Sequence, residues 1–338
     1  MTPALRPAAT ATGSASASAS GTGTGYAPCH HGEILQGVFL DHDGRRCAGL
    51  VTLPMAGPGS RAEFTRRPGT APGALTVVPA DRTKAARAAA LAIAECAERT
   101  GLPPCGGELR LTGDVPVGLG MGSSTSDVIA AVRAVADAYG LRMGAGTVAR
   151  LAVRAERASD PLMLDDGRPV LFAQREGRVL EVLGPALPPL VVVGCTLGGG
   201  APVDTLSLPV SPSPSPSPSV AVAVSEADED EDDVRACERL RTQLRRAVAT
   251  GDVPLLGAVA TASARRGQRV LGHPEFEALT AIARRTGAAG VQIAHSGAVA
   301  GVLFDPVAPG VRHRVRRCLH GLDAHGIPAT RTFTTRRP

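Results

Sequence analysis

Apolar residues follow two different spacings along the chain. Residues 34–40, 47–53, 61–65 and 74–78 are short alternating or β-branched runs, and they predict strands. At 84–99 the apolar spacing becomes helical, and Gly101 supplies a stop. A further strand is predicted at 108–112, then helices at 123–139 and 146–158. Beyond a strand at 190–194, helices are predicted at 234–249, 254–266 and 275–286. Two strands, 290–294 and 300–304, flank the turn His295-Ser296-Gly297. A helix at 310–319 and a strand at 329–333 complete the chain. Helices and strands are mixed without strict βαβ alternation, which predicts an α+β fold.

Two segments break these patterns. Residues 1–25 are rich in Ala, Ser, Thr and Gly and predict a disordered tail, with order beginning near Tyr26. They contain no apolar core of a secretory signal. Residues 211–233 combine a Ser-Pro repeat, a short Val/Ala run and an acidic run. Alternating proline removes ladder donors and the acids repel one another, so a solvated, disordered insertion is expected. Two folded portions remain, 26–185 and 186–336, which suits a length of 338 residues at roughly 150 per domain.

Composition narrows the function classes. Aromatic residues make up 2% with no Trp, so aromatic base-stacking platforms are excluded. The formal charge is +5, and +12 without the seven acids of 226–233. Such a body attracts anions. No nucleic-acid module is visible, so the expected partner is a small molecule rather than nucleic acid. Among 36 basic side chains Lys84 is the sole lysine, and it lacks the flanking glycines of a P-loop. Seven cysteines with no C-x-x-C read as reduced thiols rather than a zinc site or disulfide framework. No apolar run reaches about 18 residues, so no membrane span is expected and the location expected is cytoplasmic.

The chemistry concentrates in Asp114-Val-Pro-Val-Gly-Leu-Gly-Met-Gly-Ser-Ser-Thr-Ser126. Glycines at 118, 120 and 122 let main-chain N–H groups converge on an anion. Ser123 and Ser124 follow at once, and the chain then turns helical, which brings the positive end of a helix dipole to the same place. This arrangement holds phosphates without a lysine. Magnesium on those phosphates calls for a loop hydroxyl and a nearby carboxylate; Ser124 is the candidate hydroxyl, and Glu156 and Asp160 are the candidate carboxylates. Asp160 lies four residues after Glu156. Pro161 disfavours helix at Asp160, which would tip it into a cleft beside Glu156. Asp165 and Asp166 read instead as an Asp-Asp-Gly turn.

The glycine-serine segment resembles the second motif of the GHMP kinases, P-x-x-x-G-L-G-S-S-A-A, through Pro116, Gly118, Leu119, Gly120, Ser123 and Ser124. It departs by an inserted Met121-Gly122 and by Thr125-Ser126. That variant is similar to the L-threonine kinase branch, G-x-G-M-x-S-S-T-x-D, with Asp127 completing the form. Gly32, Glu33, Gln36 and Gly37 resemble the first motif of that branch. Residues 291–301 resemble the third motif, and residues 203–206 resemble the same branch.

The resemblance implies a two-domain GHMP kinase fold, with an N-terminal ribosomal-protein-like α+β domain and a C-terminal ferredoxin-like domain, and ATP in the groove between. It implies ATP and Mg²⁺ as cofactors. ATP would be bound by Pro116, Val117, Gly118, Leu119, Gly120, Met121, Gly122, Ser123, Ser124 and Thr125, and the metal by Ser124 and Glu156. Asp160 would take the acceptor proton. The implied reaction converts L-threonine to O-phospho-L-threonine for cobalamin nucleotide-loop synthesis, in a monomer or homodimer. Homoserine, serine or a specialised amino alcohol are alternative acceptors, and a non-catalytic ATP-binding sensor is an alternative class. Glu33, Asp204 and His295 are the candidates for an amino-acid acceptor. His30 and His31 could contact phosphate or be ordinary polar loop residues.

Overall fold

The computed structural model describes residues 21–115, 120–198, 220–295 and 298–335. Strand β1 (Thr22–Leu40) pairs antiparallel with β2 (Arg46–Arg66), and β2 pairs with β4 (Gly107–Gly113). β3 (Leu75–Val78) adds to β4 in parallel. Two strands that the sequence pattern did not predict, β5 (Val170–Ala173) and β6 (Arg178–Val182), form a hairpin against β2.

Helices α1 (Thr83–Thr100), α2 (Ser123–Ala138) and α3 (Ala145–Glu156) cover one face of this sheet. Alanine is the commonest residue on their buried faces, which keeps the helices close together. β1 begins earlier than the composition of its first residues suggests. Gly23 and Gly25 were expected in a disordered tail, yet they lie in the strand against α2. A Cβ on Gly25 would stand 2.1 Å from the Ala130 carbonyl oxygen and 2.6 Å from the Ala134 nitrogen. Glycine here permits close backbone approach, and this seats the middle and C-terminal half of α2 on β1.

The C-terminal portion runs β7 (Val191–Thr196), α4 (Val220–Thr250), α5 (Val253–Leu271), α6 (Phe276–Thr286), β8 (Gly290–Ile293), β9 (Val299–Phe304), α7 (Val311–Ala324) and β10 (Ala329–Thr334). The four strands lie in the order β10-β7-β9-β8, all antiparallel neighbours. That is the split-βαβ arrangement of ferredoxin-like units. β8 meets β1 through the pair Glu33 and Ile293, so the two portions share one ten-stranded sheet.

The acidic run is helical, contrary to the expectation of a solvated insertion. α4 extends back to Val220 and takes in residues 220–233; residues 211–219 lie outside the described ones. Arginines offset the repulsion. Glu231 and Asp232 pair with Arg235 one turn on, and Asp233 pairs with Arg266 and Arg269 of α5.

Among the described residues no helix is long and apolar enough to cross a membrane. Gly25→Val should destabilise the protein by at least about 1–3 kcal/mol through overpacking against α2, read as a lower Tm. An unchanged Tm would mean that the close approach is not needed.

Candidate active site

β1 is irregular where it reaches the site. Its pairing with β2 shifts register between Pro28 and His30, between His30 and Glu33, and between Glu33 and Leu35. Such irregularities re-aim side chains at the ends and crossings of sheets. Here they turn both His30 and Glu33 into a crevice bordered by the N-terminus of α2, the end of α3 and the β8–β9 turn.

Of the loop expected to hold ATP, residues 120–125 are described, while Pro116, Val117, Gly118 and Leu119 lie outside the described residues. Gly122 is the N-cap of α2 with φ +67°, a left-handed conformation that suits glycine. Ser123, Ser124 and Thr125 then form the first turn, where main-chain N–H groups lack helical acceptors. Asp127 plays a structural part. One carboxylate oxygen accepts from the Ser60 hydroxyl at 2.5 Å and the other pairs with Arg82 at 3.1 Å, which fixes the start of α2 to β2 and α1.

α3 ends at Glu156 because Arg157 adopts a left-handed conformation, φ +71°, the only non-glycine residue to do so among the described ones. The helix therefore stops four residues before Asp160, and the turn through Ser159, whose N–H donates to the Gln174 carbonyl, returns Asp160 toward Glu156. The Thr125 hydroxyl stands within hydrogen-bonding reach of both carboxyls.

The carboxyls differ sharply in charge preference. Burial pushes Glu156 up to about 8, and Asp160 reinforces this. Lys84 and the Thr125 and Ser159 hydroxyls act against it. Glu156 Oε1 is buried and has no hydrogen-bond partner, as a group awaiting a cation would be. Burial also opposes ionisation of Asp160, but His30 Nε2 at 3.0 Å outweighs it and holds that carboxyl below its usual range. Burial pushes Glu33 up to about 7; His30 opposes this and Asp160 adds to it.

Glu33 is 4% exposed, and Oε2 accepts from the main-chain N–H of His295. It ties the β8–β9 turn to β1, so its position is that of a strut as much as an acceptor ligand. The His295 ring lies near Asp160 and Arg175. Burial, ahead of these neighbours, keeps it below the ordinary imidazole range. Asp204 lies outside the described residues, as do Ser296 and Gly297. Gln36 and Gly37 serve packing: the Gln36 N–H donates to the Ser263 hydroxyl of α5, and a Cβ on Gly37 would stand 2.4 Å from Cys237 Sγ of α4.

Two groups went unassigned in the sequence. Lys84, on the first turn of α1, is electrostatically felt by Glu156, which brings the chain's single ammonium group to a crevice expected to work without lysine. The adjacent His30 and His31 take opposite states. His31 is buried against Phe333 with Nδ1 facing the Gln292 amide at 2.8 Å, and burial pushes it down to about 4. His30 faces Asp160 and is carried up to about 9 against the cost of its burial.

Residues 84–167 match the family model described as the GHMP kinases N terminal domain. A search of the curated proteins found no match. Among solved structures, the chain is similar to a homoserine kinase from Cytophaga hutchinsonii, with TM-score 0.60 and 17% identity over 94% of this chain and 95% of that one. It is similar to L. major mevalonate kinase in complex with R-mevalonate, with TM-score 0.56 and 17% identity over 94% and 96%. It is also similar to the phosphomevalonate kinase of Streptococcus pneumoniae, with TM-score 0.60 and 12% identity over 93% and 99%. The fold is that of the GHMP kinases. The matched residues 84–167 carry the start of α2 and Glu156 at the end of α3 within that fold.

Three buried groups set the pH dependence of stability in the alkaline range. Glu156 at about 8 and Glu33 at about 7 both stand above the ordinary 4.5, and His30 at about 9 stands above 6.5. For each, the folded state holds its proton more tightly than the unfolded chain. The stabilisation is complete at low pH and is lost as pH rises through the folded value. His31, pushed down to about 4, and His295, also held below 6.5, act in the opposite sense, and their contribution is complete above about pH 7. In magnesium-free buffer, Tm should therefore fall between about pH 7 and pH 9. Glu156→Gln should flatten the upper part of that fall and raise Tm at pH 8; a Glu156→Gln profile parallel to the parent's would contradict the assignment.

Proposed function

We propose that the chain transfers the γ-phosphoryl group of ATP to the side-chain hydroxyl of a small amino acid, with L-threonine the first choice. The observation that carries the reaction is one crevice in which an ionised Asp160 and a protonatable Glu156, its Oε1 without a partner, flank the first turn of α2. Threonine itself rests on the resemblance of Gly32, Glu33, Met121, Thr125 and Asp127 to that branch of the family. The same resemblance supports a place in cobalamin nucleotide-loop synthesis. We also assign 26–185 and 186–336 as the two working portions of the chain, with the crevice at their junction.

In this reaction the amides of 120–124 hold the phosphates, aided by the α2 dipole. Ser124 and Glu156 would hold magnesium, and the unpartnered Glu156 Oε1 fits that role. When bound, the ion neutralises charge on the β- and γ-phosphates. Asp160 accepts a hydrogen bond from the acceptor hydroxyl and so aims its oxygen at the γ-phosphorus. The new O–P bond forms as the bond to the bridging β–γ oxygen breaks, ADP leaves, and the hydroxyl proton passes to Asp160. A carboxylate held below its usual range is a weak base, so the proton moves late and orientation is the larger contribution. Glu33 and His295 border the acceptor side.

The acceptor is tested with Mg-ATP and a panel of L-threonine, L-serine, L-homoserine and 1-amino-2-propanol, following ADP release and product phosphate. Threonine should give the highest kcat/KM; transfer to another member with none to threonine would reject that choice. Absence of ADP release with every acceptor would favour the sensor reading. Asp160→Asn should lower kcat by roughly 10²–10⁴-fold while ATP affinity holds. An unchanged kcat would remove Asp160 from the reaction.

A further inference from the structure

His30 is joined to both halves of the candidate site. Its ring is 2% exposed, and both ring nitrogens face groups that accept. Nε2 lies 3.0 Å from Asp160 Oδ2, and Nδ1 lies 3.3 Å from the Gly32 carbonyl oxygen and 3.7 Å from Glu33 Oε1. A ring with acceptors on both sides satisfies them only when both nitrogens carry protons, which makes it the imidazolium. The His30 main-chain N–H donates to the Met121 carbonyl at 3.2 Å. A Cβ on Gly122 would lie 2.4 Å from His30 Cδ2 and 2.5 Å from Nε2, so the ring sits directly behind the last glycine before Ser123.

We propose that His30 is a positioning residue that couples the seating of the nucleotide loop to the aim of Asp160. One face of its ring supports Gly122 while its Nε2–H grips the carboxylate that receives the acceptor. The inference rests on the kinase reading given above and adds a residue and a linkage to it.

The geometry separates two contributions that variants can read apart. His30→Ala removes the ring from behind the loop and the charge from beside Asp160. His30→Gln keeps bulk and an N–H donor but no charge. Binding of Mg²⁺ with a non-hydrolysable ATP analogue should weaken about 5–10-fold in His30→Ala and little in His30→Gln, while kcat for the acceptor falls about 10–100-fold in both. The decisive readout is the double-mutant cycle with Asp160→Asn. If His30 acts on turnover through Asp160, then His30→Gln in the Asp160→Asn background lowers kcat less than about threefold.

Multiplicative losses in that cycle would overturn the coupling, as would kcat within about twofold of the parent in both His30 variants. Should His30→Ala fail to fold, by Tm, His30→Gln carries the cycle. Failure of the kinase reading looks different: the parent protein then transfers phosphate to no hydroxyl at all. Weaker analogue binding in His30→Ala would in that case support the loop contact and overturn the link to Asp160.

Discussion

Three carboxyl groups, on Glu33, Glu156 and Asp160, are sunk into one crevice where water cannot dilute their repulsion, and each reaches a different settlement with its surroundings. Asp160 takes the His30 imidazolium and stays ionised. Glu33 spends one oxygen on a main-chain N–H of the opposite portion of the chain. Glu156 keeps an unpartnered oxygen and retains its proton to unusually high pH. A buried anion without a partner is costly, so the unequal share of the nearby cations, His30 and Lys84, leaves the three acids in different charge states.

The fold supplies that inequality. α2 is held flat on β1 by close backbone contact at Gly23 and Gly25, so its first turn points into the crevice. α3 is cut short by the left-handed Arg157, and the chain doubles back to set Asp160 opposite His30 instead of on the same helical face as Glu156. Strain at a non-glycine position beside the site is the kind of local cost that surrounding packing sustains where function needs it. The C-terminal portion enters through the His295 main chain, which Glu33 fastens to β1, so the cluster is completed by residues distant in sequence.

Much of this was legible in the chain. The helical periods of α1, α2, α5 and α6 and the glycine-serine loop were all visible, because long apolar repeats and glycine clusters are local signals. β5 and β6 were not; they are defined by pairing with each other and, through β5, with β2. The start of β1 was hidden behind a low-complexity composition; Gly23 and Gly25 look like linker residues until their contact with α2 is known. The helical state of 220–233 depends partly on Arg266 and Arg269, more than thirty residues away. In the site, Glu156 and Asp160 stood out by spacing. His30 did not, since only the register shifts of β1 and the end of α3 bring it to Asp160. The different states of two adjacent histidines follow from what each faces, which no sequence spacing encodes.

The most direct test of the account is a crystal structure of the chain with Mg²⁺, a non-hydrolysable ATP analogue and L-threonine. The account predicts phosphates against the amides of 120–124, the metal between Ser124 and Glu156, and the threonine hydroxyl between the γ-phosphorus and an Asp160 still paired with His30. A nucleotide bound elsewhere, or a metal that leaves Glu156 untouched with Asp160 turned away from the acceptor, would contradict it.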